Sequence, residues 1–310
     1  MNVESSILKV ILYFDIFNYP LSKDEIGLFL DQQADESHFS AALQNLLDDK
    51  YLFQHDEFYS VQDKYSLVEN RRSGNIKALS LMPTAYKISN LLFKFPFVRG
   101  IGISGSLSKN VAHEEADIDF FIITKANRLW IARTLLHMLK KLSFLVGRQH
   151  WFCMNYFVDE ENLQVEEKNI FTAIELVTLL PVCGNGSLHN FFDANEWVNF
   201  YYPNHGWKTS YIKKSSSSSW FKKIVERIFN NSLGDRLDDY FLKLTSRRWN
   251  KKEKLVKLNG KGNPMGLKNA KHYSKPNPVF FQEKILKMYQ EKLDTVTMRS
   301  VSMMEESHKN

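Results

Sequence analysis

Residues 100–124, GIGISGSLSKNVAHEEADIDFFIIT, constrain the fold more tightly than any other stretch of the chain. Ile101 and Ile103 alternate with small residues ahead of Gly105-Ser106, which predicts a strand that ends in a turn and opens a short helix. Backbone N–H groups at such a turn point at an anion. Gly105 lets the main chain approach a phosphate closely, and Ser106 adds a hydroxyl donor. Asp117-Ile118-Asp119 follows, then the unbroken apolar run Phe120–Ile123. A run of that kind predicts a strand buried on both faces. Residues i and i+2 of a strand share a face, so the spacing predicts that Asp117 and Asp119 point the same way while Ile118 packs behind them.

Two like charges on one face are costly unless a cation lies between them. Mg²⁺ (or Mn²⁺) suits that position, because it binds through one or two carboxylates together with substrate phosphates. The chemistry indicated is nucleotidyl or phosphoryl transfer from an NTP. The order of apolar strand, Gly-Ser, variable gap, Asp-apolar-Asp and apolar strand resembles the nucleotidyltransferase superfamily, the DNA polymerase β-like fold. Gly105, Ser106, Asp117 and Asp119 match its hallmark residue by residue, and Lys109 stands where many members carry a basic residue. The resemblance covers roughly residues 80–180. It implies that Asp117 and Asp119 bind metal, and that Gly105, Ser106 and Lys109 hold the triphosphate.

The resemblance also implies a third carboxylate on the next strand, HWFCMNYFV at 150–158, and there the chain departs from the pattern. The matching position holds Asn155, which offers oxygen without charge. Asp159 and Glu160 lie at the end of the strand. By alternation Cys153, Asn155, Phe157 and Asp159 share one face, with Asp159 about 13 Å beyond Asn155 at roughly 3.3 Å per residue. Asn155 or Asp159 is expected to complete the site.

The expected fold class is α+β: a nucleotidyltransferase-like mixed sheet with flanking helices, an N-terminal winged-helix-like domain (1–62), the core (63–183) and a mainly helical, basic C-terminal region (184–310). In the first unit, Ser22 and Glu25 form a capping box, Ser37 caps a third helix, and residues 51–61 read as a hairpin. The third helix is acid-rich, with Lys50 beside Asp48 and Asp49, so specific DNA binding is not expected of it. Residues 62–95 read as one or two helices, with Arg71 and Arg72 either leaning toward the nucleotide or exposed. Ala126–Val146 is amphipathic, and residues 169–182 read as a helix broken at Pro181. Glu175 is either a salt-bridged core acid or a site residue. Lys213–Ser219, KKSSSSS, is the linker candidate, residues 259–278 a loop, and the final eight residues a frayed tail.

The net charge of +6 conceals an asymmetry. Residues 1–207 carry 18 Lys+Arg against 25 Asp+Glu, and residues 208–310 carry 23 against 10. The basic part either packs on the acidic part or forms a polyanion footprint. Cys153 and Cys183 make no paired motif, no signal peptide is evident, and no run is long enough to span a membrane, which together point to the cytoplasm. The leading expectation is transfer of a nucleoside monophosphate to a hydroxyl on a small molecule, a protein or RNA. The alternatives are a catalytically weak nucleotide-binding scaffold and a nucleic-acid-binding regulator.

Overall fold

A computed structural model of the chain describes residues 2–113, 116–206, 219–255, 267–276 and 279–307. The N-terminal unit runs α1 (Val3–Asp15), β1 (Leu21–Ser22), α2 (Lys23–Leu28), α3 (Glu36–Asp48), β2 (Phe53–His55) and β3 (Phe58–Ser60). Its three short strands pair in the order β1-β3-β2. The capping box at Ser22 and Glu25 forms as its spacing requires. The third helix is capped by Asp35, which accepts from the His38 N–H, while Ser37 donates its hydroxyl to Asp35. The carboxylate wins because it is the stronger acceptor and sits in extended backbone one residue before the helix.

One 28-residue helix, α4 (Ser66–Phe93), leads into the central sheet and carries Pro83 inside it. The sheet comprises β4 (Val98–Ser104), β5 (Asp119–Thr124), β6 (Cys153–Asp159), β7 (Leu180–Cys183), β8 (Leu267–Asn269) and β9 (Tyr273–Pro276). Their order is β7-β4-β5-β6-β9-β8, with β5 and β6 parallel and the other pairs antiparallel. The mixed α+β architecture expected from residues 100–124 is present.

The middle strand accounts for the layering. Phe120 and Ile122 pack with Ala85 and Leu92 of α4 and with Trp130 and Leu136 of α6 (Leu129–Ser143). Phe121 and Ile123 face the other way, onto Ile174 of α7 (Ile170–Val177), Phe191 of α8 (Asn185–Asp193) and Ile285 of α11 (Val279–Ser307). Each of these four β5 side chains is at most 4% exposed, and burying each is worth about 1.5–3 kcal/mol.

Three expectations need correction. The helix read at 169–182 stops at Val177, and Leu180–Cys183 forms β7 instead. Pro181 is tolerated there because β7 is an edge strand, where a missing N–H costs no ladder bond. The stretch 259–278, read as loop, supplies β8 and β9, and β9 pairs with β6 through Phe157↔Ser274 and Val158↔Tyr273. The C-terminal region is therefore not merely helical: besides α9 (Trp220–Phe229), α10 (Ser232–Lys254) and α11 it extends the central sheet. The helical backbone of α11 continues to Ser307, through most of the stretch read as a tail; residues 308–310 lie outside the described residues, as does the serine run apart from Ser219, whose hydroxyl caps α9. No helix among the described residues is long and apolar enough to cross a membrane.

Arg71 neither leans toward a nucleotide nor lies exposed. It is buried, pairs with Glu25 Oε1 at 2.6 Å, donates to Pro20 O at 3.1 Å and lies 3.8 Å over the Tyr19 ring. It thereby ties α4 to the N-terminal unit, while Arg72 pairs with Asp56 and Glu57. Arg71→Ala should lower stability by about 3 kcal/mol, because it strands Glu25 and a carbonyl without their donor. Urea unfolding followed by circular dichroism measures it, and a loss under 1 kcal/mol would show that the pair carries no such weight.

Candidate functional site

The Gly-Ser turn closes directly on the second aspartate. β4 ends at Ser104, which pairs in register with Asp119 of β5. Gly105 then turns the chain with φ of +70° into the single helical turn α5 (Gly105–Ser108). A Cβ at Gly105 would lie 2.5 Å from Asp119 Oδ2, so backbone conformation and carboxylate contact both exclude a side chain there. Ser106 is exposed at the start of the turn. Lys109 braces it from behind: its ammonium donates to Gly105 O at 3.2 Å and to Glu175 Oε1 at 2.8 Å, and its carbonyl accepts from Tyr19. Glu175 is thus both salt-bridged and part of the site's wall.

Asp117 precedes the strand rather than lying in it, since β5 begins at Asp119. Its Oδ1 lies 2.8 Å from His150 Nδ1. Ile118 between the aspartates is fully buried and is held by backbone bonds to His150 and Cys153. Cys153 pairs in register with Asp119. Burial pushes its thiol up to about 12, with the charge of Asp119 and then that of Asp117 adding to the effect.

The third strand breaks the alternation read from its sequence. Asp119 pairs with Cys153 and Phe120 with Met154, but Phe121 pairs with Tyr156, so the register slips by one residue. The extra residue is Asn155. Its backbone lies in β6, and its side chain is outside the described residues. A bulge of this kind inverts the facing of everything after it. Tyr156 joins Phe121 on the site face, with ring centroids 5.2 Å apart, while Phe157 packs on the α6 side. Asp159 follows Phe157 to that side. It is fully buried, accepts from the N–H groups of Asn127 and Glu161, and lies 3.0 Å from His272 Nδ1. The structure gathers Gly105, Ser106, Asp117 and Asp119 at one end of the sheet, puts Lys109 behind the turn, and turns Asp159 away.

A cleft of about 230 Å³ opens beside Gly105 and Asp119, walled by Phe121, Tyr156, Phe171 and Leu179. Glu167 and Glu175 are the other acids lining it, and both are held by lysines: Glu175 by Lys109, Glu167 by Lys268 at 2.8 Å and by Lys275. Burial alone would raise the Glu167 carboxyl, but the two lysine hydrogen bonds outweigh it and hold the group at about 2. No group of three His, Cys, Asp or Glu side chains converges as a metal cage among the described residues. Two hard carboxylates beside a phosphate-accessible turn suit Mg²⁺, which takes its remaining ligands from substrate and water.

His150, Cys153, Glu167 and Lys275 were not anticipated as site residues. The first two adjoin the aspartates only because β6 runs parallel to β5. The other two arrive on a loop and on β9, far away in the chain. No local pattern marks any of them.

Residues 88–171 match the family model of the nucleotidyltransferase domain. No curated protein and no solved structure matches the chain.

Gly105→Ala should cost about 1–3 kcal/mol from the left-handed backbone alone, with the carboxylate clash added. Serine at the same position should be no better, since the clash is with its Cβ. Equal unfolding midpoints for wild type and Gly105→Ala would contradict the geometry. The Glu167 carboxyl is lower folded than unfolded, so it contributes stability above pH 4.5 that is lost as the pH falls toward 2. The stability gap between wild type and Glu167→Gln should therefore close between pH 5 and pH 2 in urea midpoints, and a gap that stays constant would sever the assignment.

Proposed function

We propose a reaction for a chain whose residues 88–171 are a nucleotidyltransferase domain, a domain whose general function is nucleotidyl transfer: a nucleoside monophosphate passes from an NTP to a hydroxyl acceptor with Mg²⁺ or Mn²⁺. The observation that carries the reading is the contact of Gly105 with Asp119, which puts a bare backbone turn against a carboxylate. In this reading Asp117 and Asp119 hold the metal, and the turn at Gly105 and Ser106 receives the triphosphate through main-chain N–H groups and a hydroxyl. The bound metal supplies positive charge to the phosphates. His150 orients Asp117 through the 2.8 Å contact. Lys109, engaged by Glu175, stiffens the turn from behind through its bond to Gly105 O. In the reaction the acceptor oxygen bonds the α-phosphorus as pyrophosphate leaves, and the acceptor's proton must go to a base.

The arrangement around that base favours slow transfer. Asp159 is turned to the other face, Glu175 and Glu167 are occupied by lysines, and Asn155 stands at the bulge with no charge to offer. The reading of a catalytically weak nucleotide-binding protein draws its support from this observation. A small molecule, a protein or an RNA end all remain chemically suitable acceptors, since each presents a hydroxyl.

Calorimetry should detect NTP binding that requires Mg²⁺ or Mn²⁺ and falls at least tenfold in Asp117→Asn and Asp119→Asn, with circular dichroism unchanged. Metal-independent binding of equal strength in the double variant would defeat the metal assignment. With labelled NTP and cell extract, wild type should label slowly and Asn155→Asp faster. Asp159→Ala should lower stability rather than remove NTP binding. Robust wild-type labelling that survives Asp119→Asn would show that the chemistry happens elsewhere.

A further inference from the structure

A second cleft of about 650 Å³ lies between α6 and α10, on the side of the sheet away from the Asp119 cleft. Its cations are Arg133 and Lys141 from α6 and Arg248, Lys251 and Lys252 from α10. Among the described residues no acid lines it, and none of the five cations pairs with an acid. Several other cations of the basic C-terminal part do meet acids. Lys292 pairs with Asp15, Lys268 and Lys275 pair with Glu167, and Asp235 pairs with Arg128 of the N-terminal part. At those points the basic and acidic parts of the chain neutralise one another, and at this cleft no acid is present among the described lining residues.

Arg133 is the innermost cation. It is 8% exposed, and its Nε has no hydrogen-bond partner among the described residues. Burial alone lowers its guanidinium to about 10, with no carboxylate offsetting it. The faces of Trp130 and Phe157 lie 5.4 Å and 6.0 Å from it. Such contacts return only part of what removal from water costs a charge. A guanidinium kept charged, buried and short of protein acceptors presents a fork of donors that fits the oxygens of a phosphate. Beside it His137 Nε2 is also buried without a partner; burial, then the charges of Arg133, Lys140 and Lys141, lower that imidazole to about 3, so it is neutral near pH 7 and adds no positive charge. Trp249 and Met138 give the cleft an apolar wall that suits the organic part of a phosphate ester better than a bare inorganic ion.

We propose that this cleft is a second anion site, separate from the Asp119 cleft, that takes the phosphate groups of nucleotide ligands, with Arg133 as its innermost contact. The proposal does not depend on the transfer reaction, and EDTA separates the two, since it removes metal-dependent binding at the aspartates. The probes are a fluorescein-labelled ten-nucleotide RNA, followed by anisotropy on the full chain in EDTA, with ATP and pyrophosphate as competitors. Binding should weaken at least tenfold in the exposed double variant Arg248→Glu/Lys252→Glu and in Arg133→Met, each checked for an unchanged circular dichroism spectrum, and should stay within twofold of wild type in Asp117→Asn. If RNA engages four phosphates, raising salt from 50 to 200 mM should weaken it roughly 50-fold. RNA bound far more tightly than ATP would identify a strand as the source of the phosphates. ATP competing at matching affinity would identify a free nucleotide, and either result supports the site. No binding of RNA or ATP at 50 mM salt, or binding that Arg248→Glu/Lys252→Glu leaves unchanged, would overturn it.

Discussion

The rest of the structure depends on β5 having no solvated face. Four consecutive apolar residues, Phe120–Ile123, are buried alternately on opposite sides, so the chain must supply a helical layer above and another below. It does so with segments far apart in sequence: α4 and α6 on one side, and α1, α7, α8 and α11 on the other. Everything that reaches the site is carried there by one of these layers. The entry to β5 is where the packing ends and the charges begin, and Asp119 is its first residue. A carboxylate at that boundary keeps access to solvent while its strand is locked by the neighbouring phenylalanine and isoleucines.

The Gly105 turn and the bulge in β6 act on this strand from its two flanks. On one flank, the missing side chain of Gly105 lets the backbone meet Asp119 at a distance no other residue allows. On the other, a one-residue slip after Met154 brings Tyr156 to the site and sends Asp159 to a buried anchoring role with Asn127, Glu161 and His272. The first feature sets bare backbone against a carboxylate, and the proposed phosphate contact rests on it. The second leaves the Asp159 carboxylate on the opposite face from Asp119. In the proposed reaction, these two features together favour holding a nucleotide over activating an acceptor.

Charge is distributed by the same logic. Lysines that reach the Asp119 cleft are matched to acids: Lys109 to Glu175, Lys275 to Glu167. Arg71 is matched to Glu25 where the N-terminal unit meets α4. The groove between α6 and α10 is distinguished by gathering five cations with no acid among its described lining residues, one of them the buried Arg133.

The sequence by itself determined the elements whose signals are local. The buried run of β5, the Gly-Ser turn with its paired aspartates, the capping box at Ser22 and the amphipathic α6 each rest on periodicity or on backbone conformation within a few residues. Tertiary structure decided what depends on partners distant in the chain. Pro181 reads as a helix breaker until β4 is seen to accept it at an edge. Residues 267–276 read as loop until β6 offers them a partner, and Arg71 reads as exposed until Glu25 and Tyr19 surround it. Asp159 reads as a site acid because strand alternation is exact in sequence, yet a single bulged residue inverts it. Such bulges and pairings arise from competition among long-range contacts, whose free energies exceed local preference and leave no mark on the residues nearby.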